Sequence, residues 1–385
     1  MKDIYDLTII GAGAAGLFAS AEFCTFMALA NPRTCCVLEK NSEPAKKIYA
    51  TGNGRCNFLN SEIDPSFYND EDFVSAVLSF VGTDDILNLF EILGVVATEE
   101  EDGRMYPRSK EAAAIARALV RGSENAEIIY GFDAREASCE NGIFTVKSAD
   151  GRAVKSRRLL ITGGGKAGIQ FGSDGSAMKL AQGFGHSVVK PIPALVPMTV
   201  NEDISEIAGV RCEALISLTK KTDSKTEVLA FNYFGEVQFT KDAVSGICVM
   251  DLSRNIRFDN NAVYTLTVDP LWDYDGEERR LLLETMPLEN LVPLKLARYM
   301  QQHLKDKMQP LKFTVTGTKG WPDAQVTAGG VELSEVNPAT MESKLVPGLY
   351  FAGEVINVDG PCGGYNLSFA FASGMLAADA IESSL

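Results

Sequence analysis

The sequence predicts an α/β fold in which an N-terminal β-α-β unit is completed by the C-terminal stretch and interrupted by a β-rich insert. Three observations carry this expectation. GAGAAG (residues 11–16) lies between an apolar run and an alanine-rich segment, Asn141-Gly142 and Asp150-Gly151 bracket the alternating FTVKS, and prolines 191, 193 and 197 mark a change of composition. The division expected is 1–190 and 326–385 in one domain and 191–325 in the other.

In chain order, the run at 4–10 reads as a short buried strand that ends at Gly11. Residues 14–30 carry no interior glycine or proline and are rich in alanine, so a helix follows, closed by Pro32. Cys35 to Leu38 gives a second strand ending at Glu39 and Lys40, which completes a β-α-β unit. Thr83, followed by Asp84 and Asp85, is expected to start a helix that Gly94 ends, and Ser109 another that runs to Gly122. The two turn dipeptides then predict a β-meander. In the insert, β segments such as VYTLTV surround one helical run, LENLVPLKLARYMQQHL. GLYFAGE returns as a buried strand, and the small-residue-rich YNLSFAFASGMLAADAI as a helix.

At 385 residues the chain exceeds what one hydrophobic core organises, and 46% hydrophobic with 23% charged residues describes a globular protein. The net charge of -15 and the lack of basic runs argue against nucleic-acid binding, which rests on neutralising phosphates. Eight cysteines without CxxC spacing read as reduced thiols, and the N-terminus MKDIYDLTII meets glycine before a signal-length apolar run can form. The expectation is a cytoplasmic protein without a membrane span. Two histidines are too few for a histidine-based metal cluster or hydrolytic triad; His186 is expected to be structural and His303 solvated.

In GAGAAG, Gly11 permits the tight strand-to-helix turn, Gly13 lets the backbone approach a pyrophosphate, and Gly16 lets helix and strand pack closely. The pyrophosphate would sit on the helix N-terminus, and Glu39 would accept hydrogen bonds from both hydroxyls of an adenosine ribose. This unit alone leaves NAD and FAD open. ATGNGRCN (50–57), just after the basic pair Lys46 and Lys47, points to FAD, because a ribityl chain and flavin ring need a second set of contacts. Gly52 and Gly54 free the backbone to approach such a group, Thr51, Asn53 and Asn57 offer donors and acceptors, and Arg55 can neutralise phosphate or the charge of a reduced ring. GEVINVDGPCGGYN (353–366) supplies the other wall, where Glu354 and Asp359 can bind ribityl hydroxyls and the final helix aims its N-terminus at the flavin pyrimidine edge. TGGGKAG (162–168) also fits GxGxxG, but more glycines precede any helix, so it reads as a loop returning toward the cofactor rather than a second nucleotide site.

With these motifs in hand, the sequence resembles the BaiN-like family of flavoproteins, which includes aminoacetone oxidase and a dehydro-bile-acid reductase. The carriers are IIGAGAAGL, LEK, KKIYATGNGRCNFLN, GRMYPRSKEA, ITGGG, FGEVQFT, AQVTAGGVE and TMESKLVPGLYFAGEVINVDGPCGGYNLSFAFASG. The resemblance implies a glutathione-reductase-type FAD-binding Rossmann domain with a β-meander, interrupted by a β-barrel-like insert with a helical portion. Matched position by position, the family's FAD contacts fall on Gly11, Gly13, Ala14, Ala15, Gly16, Glu39, Lys40, Thr51, Gly52, Asn53, Gly54, Arg55, Cys56, Asn57, Thr162, Gly163, Gly164, Gly353, Glu354, Gly364, Tyr365, Asn366 and Leu367. Lys47 and Asp359 join them as expected cofactor contacts. Ala45 stands where the family usually has glycine, KAG replaces a Ser-Tyr-Pro type of sequence after ITGGG, and SDGS replaces GDGY.

The function expected is hydride transfer between flavin N5 and a small organic substrate at the domain interface, with Arg55, Cys56, Cys362 and Tyr365 as neighbours of the ring. Two directions stay open. A reductase would draw electrons from NAD(P)H, a transient donor entering the substrate cleft, and an oxidase would draw them from an amine such as aminoacetone. A non-enzymatic flavin-binding redox sensor and a flavin-dependent RNA-modifying enzyme are the other classes, the latter disfavoured by the acidic composition. The sequence does not specify an oligomeric state.

Overall fold

The computed structural model describes residues 2–27 and 33–385. Two compact units form: the first runs through Ile192 and resumes at Val326, and the second spans Pro193–Gln325. Strand β1 (Tyr5–Ile10) leads into helix α1 (Ala14–Met27), and strand β2 (Cys35–Glu39) lies parallel to β1 with Ile9 opposite Val37. The expected helix end at Ala30 and Pro32 lies outside the described residues. Helices α2 (Lys46–Ala50), α3 (Glu71–Leu78), α4 (Thr83–Ile92) and α5 (Ala112–Gly122) follow. Gly82, not Thr83, caps α4: its N–H donates to the Asp85 carboxylate at 2.8 Å, so the acid three residues on does the capping that the threonine was expected to do.

A seven-stranded sheet organises this unit, six strands in the order Glu127–Tyr130, β2, β1, Ala153–Ile161, Ile143–Ser148, Ala134–Glu140 and the seventh, Leu349–Phe351, beside Ala153–Ile161. Strand Ala153–Ile161 does double service. Its first half pairs antiparallel with the meander, and its second half pairs parallel with both β1 and Leu349–Phe351. Asn141 and Gly142, with φ of 52° and 74°, supply the left-handed pair that a tight hairpin demands. Helix α6 (Ser176–Gly183) begins only after Gly164, Gly168, Gly172 and Gly175, all at positive φ, so TGGGKAG is a loop and not a second strand-turn-helix unit.

The second unit is a closed six-stranded barrel in the order Met198–Val200, Ala243–Ser245, Thr226–Phe239, Arg211–Lys221, Val263–Asp269, Leu311–Thr318. Its interior is filled by alternate side chains such as Ala214, Ile216, Leu218, Leu266 and Phe313. It carries three helices rather than the single run expected: α7 (Ile247–Ser253), α8 (Gly276–Thr285) and α9 (Leu294–His303). LENLVPLKLARYMQQHL breaks into a 3-10 turn at Leu288–Asn290 and α9, because Pro293 sits at the α9 cap with extended ψ and cannot lie within a continuous helix.

The chain returns through α10 (Tyr365–Ser383), which lies against α1 in the first unit. Gly374 makes this close approach possible, since a Cβ there would lie 2.7 Å from the Ala15 carbonyl oxygen. Phe18, Phe90 and Phe371 then meet with ring centroids 4.8 to 5.0 Å apart. His186 is buried, its Nδ1 3.0 Å from Glu335 and its Nε2 2.8 Å from the Ser343 hydroxyl, and burial pushes its pKa down. No single helix among the described residues is long and apolar enough to cross a membrane.

Candidate functional site

The site lies where the parallel strands end. At Gly11 the backbone has φ of 105°, and a Cβ there would lie 2.8 Å from Gly163 Cα, so the two glycine-rich loops meet back to back. At Gly16 a Cβ would lie 2.0 Å from the Gly11 carbonyl oxygen, so only glycine lets α1 start this close to β1. Thr162 fixes the same corner, its hydroxyl donating to the Ile10 and Gly11 carbonyls at 2.9 and 3.0 Å. Gly13 is different. It has no left-handed φ, and a Cβ there would meet no atom within 4 Å. Nothing in the chain itself demands glycine at 13; the demand fits an anionic group brought against the first N–H groups of α1, near Ala14 and Ala15.

Glu39 is buried, and its carboxylate takes the Ala12 N–H at 2.9 Å and the Asn41 backbone and side-chain N–H groups at 2.7 Å each. A carboxylate offers about four acceptor positions, so one remains, not the two that both ribose hydroxyls would need. Lys40 reaches Asp174 at 3.1 Å. Although desolvation by burial pushes the Asp174 carboxyl up, hydrogen bonds from Ser176 and the Lys40 ammonium hold it down at about 2.

The second loop is tied to the first by Ala45, whose N–H donates to the Ala12 carbonyl at 2.8 Å while its own backbone is left-handed, with φ of 60° and ψ of 16°. The usual family glycine at this position is thereby explained: alanine holds the turn at the cost of strain. Gly52 and Asn53 are consecutive left-handed residues, and with Gly54 they leave their backbone exposed. Thr51 donates its hydroxyl to the Ile48 carbonyl at 2.6 Å.

Several expected contacts are redirected within the protein. The Arg55 guanidinium lies 4.3 Å over the Tyr106 ring and bonds Glu100 at 2.6 Å, so its charge is already matched by a carboxylate rather than held for phosphate or ring. Lys110 bonds the same Glu100 oxygen, and its hydrogen bond, with the Arg55 charge, holds that carboxyl below its usual range. Cys56 is fully buried, and burial pushes its thiol up to about 11, so it is held as a neutral thiol. Tyr365 is wedged against Phe67 and Tyr68, with centroids 5.7 and 5.6 Å away, and its hydroxyl points to the Glu62 carbonyl at 3.4 Å. Aromatic packing has claimed the ring expected beside the flavin. Glu354 is likewise engaged, taking Lys47 Nζ at 2.5 Å on one oxygen and the Thr327 N–H at 2.9 Å on the other.

These redirected contacts brace the loops. The Thr327 hydroxyl accepts the Lys166 and Ala167 N–H groups at 2.7 and 2.9 Å, so Lys47, Glu354 and Thr327 lock the loop after Gly163 and Gly164 to the one after Gly353. Gly353 itself must be small, since a Cβ there would lie 2.8 Å from Ala15 Cβ. The Asn57 amide nitrogen faces the Met105 and Leu59 carbonyls at 3.1 and 2.9 Å, and its oxygen takes the Gly364 N–H at 3.2 Å. Asn366 closes the turn before α10 by bonding both polar groups of Gly360, and the backbone of the buried Asp359 is paired with Asn69. Leu367 and Cys362 are half-buried beside it. Asn41, Glu100, Tyr106 and Thr327 escaped sequence reasoning; Asn41 could have been found from its place two residues after Glu39, while Glu100 lies 45 residues from Arg55 with no local signal.

The family model described as an HI0933-like protein Rossmann domain matches residues 5–380. A 3-dehydro-bile acid delta(4,6)-reductase from Clostridium scindens is 34% identical, covering 96% of this chain and 97% of the relative. Ribosomal RNA dihydrouridine synthases from Escherichia coli and Haemophilus influenzae are 29% and 26% identical, covering 96% and 99% of this chain and 96% and 100% of the relatives. Among solved structures, an FrdA variant of Escherichia coli quinol fumarate reductase matches 98% of this chain and 70% of its own, with a TM-score of 0.50 at 14% identity, a likeness of fold alone.

Proposed function

The chain belongs to the HI0933-like Rossmann family, and on that premise we propose that it is an FAD-dependent oxidoreductase transferring a hydride between flavin N5 and a small organic substrate. The direction proposed is reduction of a carbon–carbon double bond conjugated to a carbonyl, with NAD(P)H as the donor. The observation that carries the cofactor assignment is the open space at Gly13, a position where no contact within the protein requires glycine. Bound there, FAD supplies a two-electron carrier that takes a hydride from one partner and gives it to another.

The chain's own part is to hold and orient. Gly11, Gly13, Ala14, Ala15 and Gly16 present a helix N-terminus to the pyrophosphate, and Glu39 keeps one acceptor position for a ribose hydroxyl. The exposed backbone of Gly52, Asn53 and Gly54, with the turn before α10, would hold the far half of the cofactor. Lys47 and Glu354 fix the spacing of those loops instead of touching substrate. Among the four proposed ring neighbours, Cys362 lies half-buried in the turn before α10. The choice of direction rests on the relatives: the activities for which they are named share one step, saturation of a ring carbon–carbon double bond.

The two dihydrouridine synthases favour a second reading, in which the acceptor is a uridine of ribosomal RNA. A net charge of -15 supports the small substrate instead. The test is an anaerobic titration of the purified protein with NADH, following the flavin absorbance. Stoichiometric bleaching, reversed by an unsaturated steroid ketone, is expected. Reversal by a ribosomal RNA transcript and not by the ketone would transfer the function to RNA. A flavin that NADH leaves oxidised and a primary amine bleaches would replace the reductase with an amine oxidase.

A further inference from the structure

Glu22 interrupts an otherwise apolar helix, AAGLFASAEFCTFM, and is only 7% exposed. Its carboxyl accepts no hydrogen bond and meets no cation among the described residues. A carboxylate largely withdrawn from water and without a protein partner is costly enough that it favours a proton or a cation reaching it from the crevice. Glu22 faces an open crevice of about 330 Å3 lined also by Asp85, Asp379, Leu89 and Met375. Phe80 and Ile92, 58% and 69% exposed, form its rim. None of the residues of the glycine-rich loops described above lines it. Carboxyl groups within and apolar side chains around them complement a charged head on a short aliphatic stem. They do not suit a metal ion, since no three acidic, histidine or cysteine side chains among the described residues are placed to hold one.

We propose that this crevice between α1, α4 and α10 is a binding site for an alkylammonium group, supplied by a free amine or by a lysine side chain of a partner protein. The charged groups facing it are Glu22 from α1, Asp85 from α4, and Asp379 with Glu382 behind it from α10, all acidic. Burial, then the charges of Asp379 and Asp85, push Glu22 up to about 7, and burial, then Glu382 and Asp85, push Asp379 up to about 6. Occupancy therefore rises between pH 6 and 8 as these groups ionise, a range in which an ammonium of pKa about 10.4 stays charged.

The test is calorimetric titration of the FAD-loaded protein with n-butylammonium chloride at pH 8, against sodium chloride at equal ionic strength. Saturable binding is expected, at least tenfold weaker at pH 5.5 and in Glu22→Gln, and weakened in Asp379→Asn; retained flavin reports that each variant is folded. Undiminished binding to Glu22→Gln, equal binding of n-butanol, or no saturable heat at pH 8 overturns the proposal. A blocked lysine derivative, Nα-acetyl-lysine methylamide, separates the sources. Tighter binding than n-butylammonium assigns the site to a partner's lysine, and equal or weaker binding to a free amine.

Discussion

Replacing Gly13 by valine separates what the fold needs from what the cofactor needs. In the protein alone the new side chain starts from a Cβ with no atom within 4 Å and a backbone outside the left-handed region, so its Cβ meets no clash. Restricting the unfolded chain at a compatible glycine stabilises by about 0.4–1 kcal/mol, but Gly13 is the N-cap of α1, its carbonyl accepting the Leu17 N–H at 3.0 Å, a position where valine is poorer than glycine, so the cofactor-free variant should melt close to the wild-type temperature. The cofactor meets the opposite situation. A phosphate oxygen needs to lie about 2.9 Å from a backbone N–H, and the valine methyl groups occupy that approach. Losing two charge-assisted hydrogen bonds at about 1.5–3 kcal/mol each weakens FAD binding by about 3 kcal/mol or more, roughly a hundredfold at 1.4 kcal/mol per factor of ten. Flavin-to-protein ratio after purification, FAD titration of the stripped protein and thermal unfolding by circular dichroism measure both halves. Gly16→Val is the contrast, since its Cβ would lie 2.0 Å from the Gly11 carbonyl oxygen and the variant should fail to fold. A Gly13→Val protein that retains flavin like the wild type, or that unfolds without it, would refute the reasoning.

Lys47→Met and Glu354→Gln should each destabilise the flavin loops, and a double-mutant cycle read in urea should give a coupling near 1 kcal/mol, because the 2.5 Å pair is 30% and 20% exposed and partly screened. Additive losses would show that the two side chains act apart. Ala45→Gly should leave the urea midpoint within about 1 kcal/mol of wild type: relief of left-handed strain, about 1–2 kcal/mol, is offset by unfolded-chain entropy and by a buried methyl worth about 0.8 kcal/mol. A loss beyond about 2 kcal/mol would mean that the methyl group, not the backbone, decides that turn. Glu22 makes a pH prediction. With its folded pKa raised from 4.5 to about 7, the folded state holds a proton that the unfolded chain releases, so this contribution to stability is present below pH 4.5 and lost as pH rises through 7. Glu22→Gln should flatten that slope between urea midpoints at pH 5 and pH 8; an unchanged slope would place the titrating group elsewhere.

The sequence by itself determined the β-α-β unit, the helix N-terminus left open at Gly13, the meander with Asn141-Gly142 in its turn, and the β-rich character of the insert. All of these rest on interactions between residues a few positions apart: the period of burial, the φ a turn requires, the glycine a close approach requires. The same local chemistry made the loop 50–57 legible as a loop but not the direction of its side chains. Arg55 lies over Tyr106 and bonds Glu100 on the neighbouring hairpin, Lys47 bonds Glu354 from 307 residues away, and Tyr365 packs on Phe67 and Tyr68. Cys56 is enclosed by the fold around it. Pro293 divides the run expected as one helix into a 3-10 turn and α9. A charged or aromatic side chain in a loop takes the partner that packing brings within reach, and that partner comes from remote parts of the chain. Only the tertiary structure could therefore decide which polar groups brace the cofactor loops, which remain for a cofactor, and that Glu22 and Asp379 face one crevice that no cationic side chain among the described residues lines.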